Sequence, residues 1–227
     1  MEVEGHTKED AAMLHEDLNK LFADKKFDSF RALLTRGKKN NNKKFDKIDS
    51  EAFEQATKDL TGDDLLAAET VAGQINSKDE HVVDYFSPGF TNSGTMSENG
   101  YRVFNEYMIS KNGVNPYGEG IKDGKVFEKA FKFGQNIPTK NGSYTIIYNG
   151  FNLQPGGRAV TVGHEVFGHG PAWNQAFQDN NINAVRVENL FLRIMGLSDK
   201  QTQGVQHFIK SDVMAKETPK YLYKVKK

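Results

Sequence analysis

The sequence contains no cysteine. That removes disulfides, thiolate metal sites, iron–sulfur clusters and cysteine nucleophiles together, so any metal chemistry must draw on His, Asp and Glu. It does not select a compartment. Net charge is also lacking: 30 basic residues balance 30 acidic ones, so the global balance indicates neither a nucleic-acid surface nor a polyanionic tail. No apolar run approaches the roughly 18 residues of a membrane span. The opening MEVEGHTKED lacks the basic-then-apolar order of a signal peptide, and the chain is expected to be soluble. What is present is a polar chain of 227 residues with 16 Phe and 8 Tyr to pack with. That length allows one large domain or two small ones, and the aromatics argue against disorder throughout.

The first 80 residues read as mainly helical. Thr7 can cap a helix with Asp10 three residues on, after which Ala11, Leu14, Leu18, Leu21 and Phe22 recur at helical spacing. The segment RGKKNNNKKFDK has no periodicity and reads as a solvated loop rather than a nucleic-acid patch. Helices follow at 50–60 and 62–77. From His81 the texture changes. HVVDYF is strand-like, Gly- and Asn-rich clusters bracket a helix at 101–110, and a strand is expected at 125–133. A KNG turn then leads into SYTIIYNGF, whose β-branched and aromatic residues make a strand. GGRAVTVGHEVFGHG is a glycine-led entry into a helix, and NINAVRVENLFLRIMG is a second helix stopped by Gly196. The expected organisation is α+β: a helical region over 1–80 and a mixed region over 81–227, or one continuous domain.

The segment GHEVFGHG concentrates chemistry. His164 and His169 are five residues apart, not the four of the common zinc-peptidase helix. On a regular α-helix a residue five further on points about 140° away, so the two rings would not share an ion. A π-type turn restores convergence. Gly168 tolerates the altered backbone, and Gly170 lets the helix bend or end. The spacing therefore predicts a π-type widening or a helix end between His164 and His169.

A third ligand should come from another element, and Glu188 is the leading candidate. Ala184, Val185, Phe191 and Leu192 place it within the apolar stripe of its helix. A carboxylate there needs a cation or a metal. Two histidines and a glutamate form a known catalytic zinc set with a fourth position for water. The simpler alternative pairs Glu188 with Arg186, Arg193 or a more distant arginine.

These residues resemble the HExxGH zinc peptidases of the dipeptidyl peptidase III type, in which HELLGH carries two zinc-binding histidines and a general-base glutamate; here the motif is HEVFGH. In that family a glutamate on a following helix completes the ligand set, and VENLFLRIMG is the corresponding segment. The family's paired acidic residues near an arginine are here a single glutamate followed by Asn189. The same arrangement is similar to metallopeptidase-type domains at the C-terminal ends of bacterial RHS/YD-repeat proteins.

The resemblance implies a zincin-like catalytic part over 81–227, with one zinc ion, His164, His169 and Glu188 as ligands, and Glu165 as general base in peptide-bond hydrolysis. It also implies a peptide or protein substrate and, if the chain is a fragment of an RHS-type protein, an exported or cell-surface location. An oxyanion donor is still needed. Tyr144, Tyr148 and His207 are chemically suited, the spacing does not choose among them, and His207 is carried as the candidate. SYTIIYNGF reads as an ordinary sheet strand, with pairing to an extended substrate as its functional alternative. Two rival readings remain: a structural or degenerate zinc module of a larger bacterial surface or toxin protein, and a metal-dependent hydrolase of another amide. The intact Glu165 disfavours the module.

Overall fold

The computed structural model describes residues 3–37, 41–86, 134–148, 155–199 and 218–225. The expected helix at 101–110, the expected strand at 125–133 and His207 lie outside them.

A short strand β1 (Val3–Gly5) precedes helix α1 (Lys8–Leu21). The expected cap forms. Thr7 Oγ1 accepts from the Asp10 amide at 3.1 Å while the Asp10 carboxylate accepts from the Thr7 amide at 2.8 Å, satisfying two amides that a helix start leaves open. A 3₁₀ turn (Lys25–Phe27) leads into the short helix α2 (Asp28–Arg31), followed by α3 (Ser50–Thr57) and α4 (Gly62–Ile75). The Lys/Asn-rich segment between α2 and α3 is more than a solvated loop. Its ends form bridges, Glu4 with Lys44 and Arg36 with Phe45, and Phe45 is buried.

Strand β2 (Glu80–Phe86) pairs in parallel with β1 and with β4 (Gly142–Tyr148), and β3 (Gly134–Pro138) pairs antiparallel with β4. The order is β1-β2-β4-β3. SYTIIYNGF thus supplies an interior strand with both edges occupied. Among the described residues the outer strands are β1, which is bridged to Lys44, and β3, whose Pro138 suits an edge.

Helix α5 (Gly157–Val162) starts after Gly156, whose φ of 77° is left-handed and suits glycine. It runs into a π turn (Gly163–His169) and a 3₁₀ turn (Gly170–Ala172), after which α6 (Phe177–Ile194) returns across the core. Gly196, at φ 70°, ends α6 with the Leu197 amide donating back to Leu192 at 2.8 Å. Phe22, which caps the end of α1, lies edge-on to Phe27, Phe30 and Phe191 at centroid distances of 5.0, 4.9 and 6.0 Å. Phe191 meets Phe167 of the π turn at 6.2 Å. One apolar core therefore runs from the N-terminal helices to the π turn. The protein is a mixed helix-and-sheet structure, as the α+β expectation has it at that level. Among the described residues, no helix is long and apolar enough to cross a membrane.

Candidate metal centre

The π turn spans HEVFGH and the glycine before it. Its wider repeat brings residues five apart onto one face, and the His164 and His169 rings converge, with centroids 4.9 Å apart. Ligand atoms of His164, Glu165 and His169 all lie within 4.8 Å of one another, and Glu165 Oε2 is 4.0 Å from His169 Nε2. Convergence with π geometry is the expected outcome for this spacing.

Gly168 plays a different part from the one its flexibility suggests. It is not among the residues at positive φ. A Cβ there would sit 2.6 Å from Ala184 Cα, so the glycine is required by the close approach of α6.

A π turn also withdraws carbonyls from the regular helical ladder, and buried carbonyls need donors. Three side-chain amides supply them. Gln74 Nε2 of α4 donates to the Val166 carbonyl at 2.7 Å, Asn183 Nδ2 of α6 to Gly168 at 2.8 Å, and Asn180 Nδ2 to His169 at 3.3 Å. Asn183 Oδ1 in turn accepts from the Lys220 and Tyr221 amides at 3.0 and 2.9 Å, tying segment 218–225 to the back of the site. None of the three amides was anticipated. The available signal was Asn180, eight residues before Glu188 and so about 80° from it around α6, within reach of the same broad face.

Glu188 is 2% exposed, and its Oε2 lies 2.8 Å from His164 Nδ1. Arg193, one of the arginines weighed as its partner, binds Asp63 at 2.7 Å and Asp199 at 3.4 Å instead. Asn180 Oδ1 hydrogen-bonds His169 Nδ1. Helix α6 thus contacts the Nδ1 side of both rings.

On the sheet side, Gly134 opens β3 against Glu165. A Cβ on it would lie 2.9 Å from Glu165 Cγ and from Thr161 Cγ2. Tyr144 is committed elsewhere: its hydroxyl donates to Asp84, and burial, then the Asp84 bond, pushes its pKa well up. Tyr148 lies on β4.

The donor set fits zinc in kind, since two imidazoles with carboxylates nearby are nitrogen and oxygen ligands of the catalytic zinc type. No family model, curated protein or solved structure matches the chain.

Proposed function

We propose that this protein is a zinc-dependent hydrolase of peptide bonds, with a zincin-like catalytic part formed by the π turn, α6 and the sheet. The observation that carries the reading is the convergence of His164 and His169 across a five-residue interval, with Glu165 beside them. His164 and His169 would hold the ion. Glu188 accepts from His164 Nδ1 and contributes its charge through that ring, the role of an outer partner that orients a ligand; direct ligation is the other role open to it. A bound zinc ion supplies a Lewis acid that brings the pKa of water toward neutrality.

Glu165 then has a proton to move. A carboxylate next to a ligand histidine accepts it from the attacking water and delivers it to the amine nitrogen as the C–N bond breaks. The edge strand β3 starts against Glu165, so an extended peptide adding to that edge would pass the general base with its backbone paired.

Glu165→Gln tests the mechanism, because glutamine keeps the size but removes the proton acceptor. Zinc measured by atomic emission should remain near one equivalent, while cleavage of a peptide library should fall by about 10² to 10⁴. Full zinc with no cleavage by the parent protein would favour a structural zinc module. No zinc uptake at all would end the metal reading.

A further inference from the structure

Histidine binds a cation only through an unprotonated ring nitrogen. At His169, Asn180 decides which nitrogen that is. The Asn180 Nδ2 lies 2.7 Å from the Ala172 carbonyl oxygen and 3.3 Å from that of His169. Both oxygens only accept, so the NH₂ end of the amide must face them and the oxygen end must face the ring. That oxygen carries no hydrogen, and it bonds to His169 Nδ1. The hydrogen of the contact therefore belongs to Nδ1, and the lone pair of the neutral ring lies on Nε2, the nitrogen 4.0 Å from Glu165 Oε2. Turning the amide over would break both carbonyl bonds.

We propose that Asn180 is a positioning residue of the metal centre. Its carboxamide holds His169 as the Nδ1–H tautomer and pins the ring to the end of the π turn, so that Nε2 is offered to the ion. The role rests on the metal reading above, whereas the tautomer does not. Glu188 treats His164 in the same way at 2.8 Å, since a carboxylate also accepts. The two residues stand eight apart on α6, a little over two turns. They differ in charge. Glu188 sets a carboxylate against the His164 ring, while the Asn180 amide orients His169 without adding a charge beside the general base.

Two variants separate positioning from bulk stability. Asn180→Ala removes the acceptor and both donors, while Asn180→Asp keeps an acceptor for Nδ1 and loses the donors. In ¹⁵N-labelled metal-free protein, at a pH where the ring is neutral, the His169 nitrogen shifts should report Nδ1–H in the parent and in Asn180→Asp. Asn180→Ala should revert toward the Nε2–H form that free histidine favours. Zinc affinity, by competition with a chelator, should fall about 10- to 100-fold in Asn180→Ala and only a few-fold in Asn180→Asp, although both lose thermal stability. Nε2–H at His169 in a parent that binds zinc would overturn the role of Asn180 alone. So would equal zinc losses in the two variants that track their thermal stability. A parent that takes up no zinc would overturn the role and the hydrolase reading together.

Discussion

Gly163 and Gly168 repeat the interval of His164 and His169, one residue earlier, on the face of the π turn that packs against α6. A Cβ on Gly163 would lie 2.5 Å from Phe191 Cδ2, and one on Gly168 would lie 2.6 Å from Ala184 Cα. Five-residue periodicity therefore serves two faces, one for packing and one for chemistry. The two obstructions differ, because a phenyl ring can turn and a helix backbone cannot. Gly168→Ala should push α6 away and loosen the Asn183 bond to the Gly168 carbonyl, at a cost of about 1–3 kcal/mol. Urea denaturation should show that loss together with weaker zinc binding, and Gly163→Ala should lose less. A Gly168→Ala protein with unchanged stability would mean that the helices have room to separate.

The π turn was legible because two histidines are informative and their interval excludes a straight helix. Glu188 was legible as a carboxylate inside an apolar stripe, and it is buried. The rest depends on contacts remote in sequence. Strand β1 has three residues, too few for an alternation to show, and takes its partner from residues 81–83. Strand β3, GQNIP, is polar and ends in proline, so only its pairing with β4 makes it a strand. Gln74 meets the Val166 carbonyl 92 residues away, and no local pattern marks an amide that will bond to a distant backbone.

A buried relay under the site should make the fold acid-sensitive. His81 Nδ1 lies 2.9 Å from Ser143 Oγ and Nε2 lies 3.0 Å from the Tyr223 hydroxyl. Tyr223 donates to Asp79 at 2.6 Å, as does Trp173 Nε1 at 3.1 Å. Burial pushes the His81 pKa down to about 4, with Asp79 partly opposing. An unfolded histidine titrates near 6.5, so between these values the unfolded chain binds the extra proton. Stability should fall as the pH drops below about 6.5 and level off below about 4, a loss of about 3 kcal/mol. Denaturation midpoints across that range, compared with those of His81→Gln, check the assignment. Parallel pH profiles for the two proteins would refute it.

Arg158, near the head of α5, faces the buried carboxylate of Asp17. Asp17 of α1 is fully buried, and its Oδ2 accepts from Arg158 Nε and from the Tyr85 hydroxyl, each at 2.8 Å. Its Oδ1 has no hydrogen-bond partner among the described residues. The Arg158 guanidinium also lies 5.1 Å from the centre of the Tyr85 ring. Removing one partner of such a pair leaves the other charge uncompensated, at about 3–5 kcal/mol. Arg158→Met should cost that much, and adding Asp17→Asn should recover part of it. A double variant whose loss is the simple sum of the single losses would show that the two residues are not coupled.

Glu188 decides how the centre is built. Its carboxylate reaches His164 Nδ1 at 2.8 Å, and the mutually close ligand atoms belong to His164, Glu165 and His169. If Glu188 acts through the ring, the amide oxygen of Glu188→Gln can still accept from Nδ1–H, and zinc affinity should fall only by the lower end of the range of about 10- to 100-fold that changing an outer partner costs. Glu188→Ala should lose more affinity and also destabilise the metal-free protein, because it removes the carboxylate that lies 2.8 Å from a buried ring nitrogen, at a cost of about 1–3 kcal/mol. A direct ligand would behave differently. Glutamine is a poor substitute for a zinc-bound carboxylate, so near-complete loss of zinc in Glu188→Gln, equal to that in Glu188→Ala, would place Glu188 on the ion. Unchanged zinc affinity in Glu188→Ala would remove it from the centre, leaving its contact with His164 as packing.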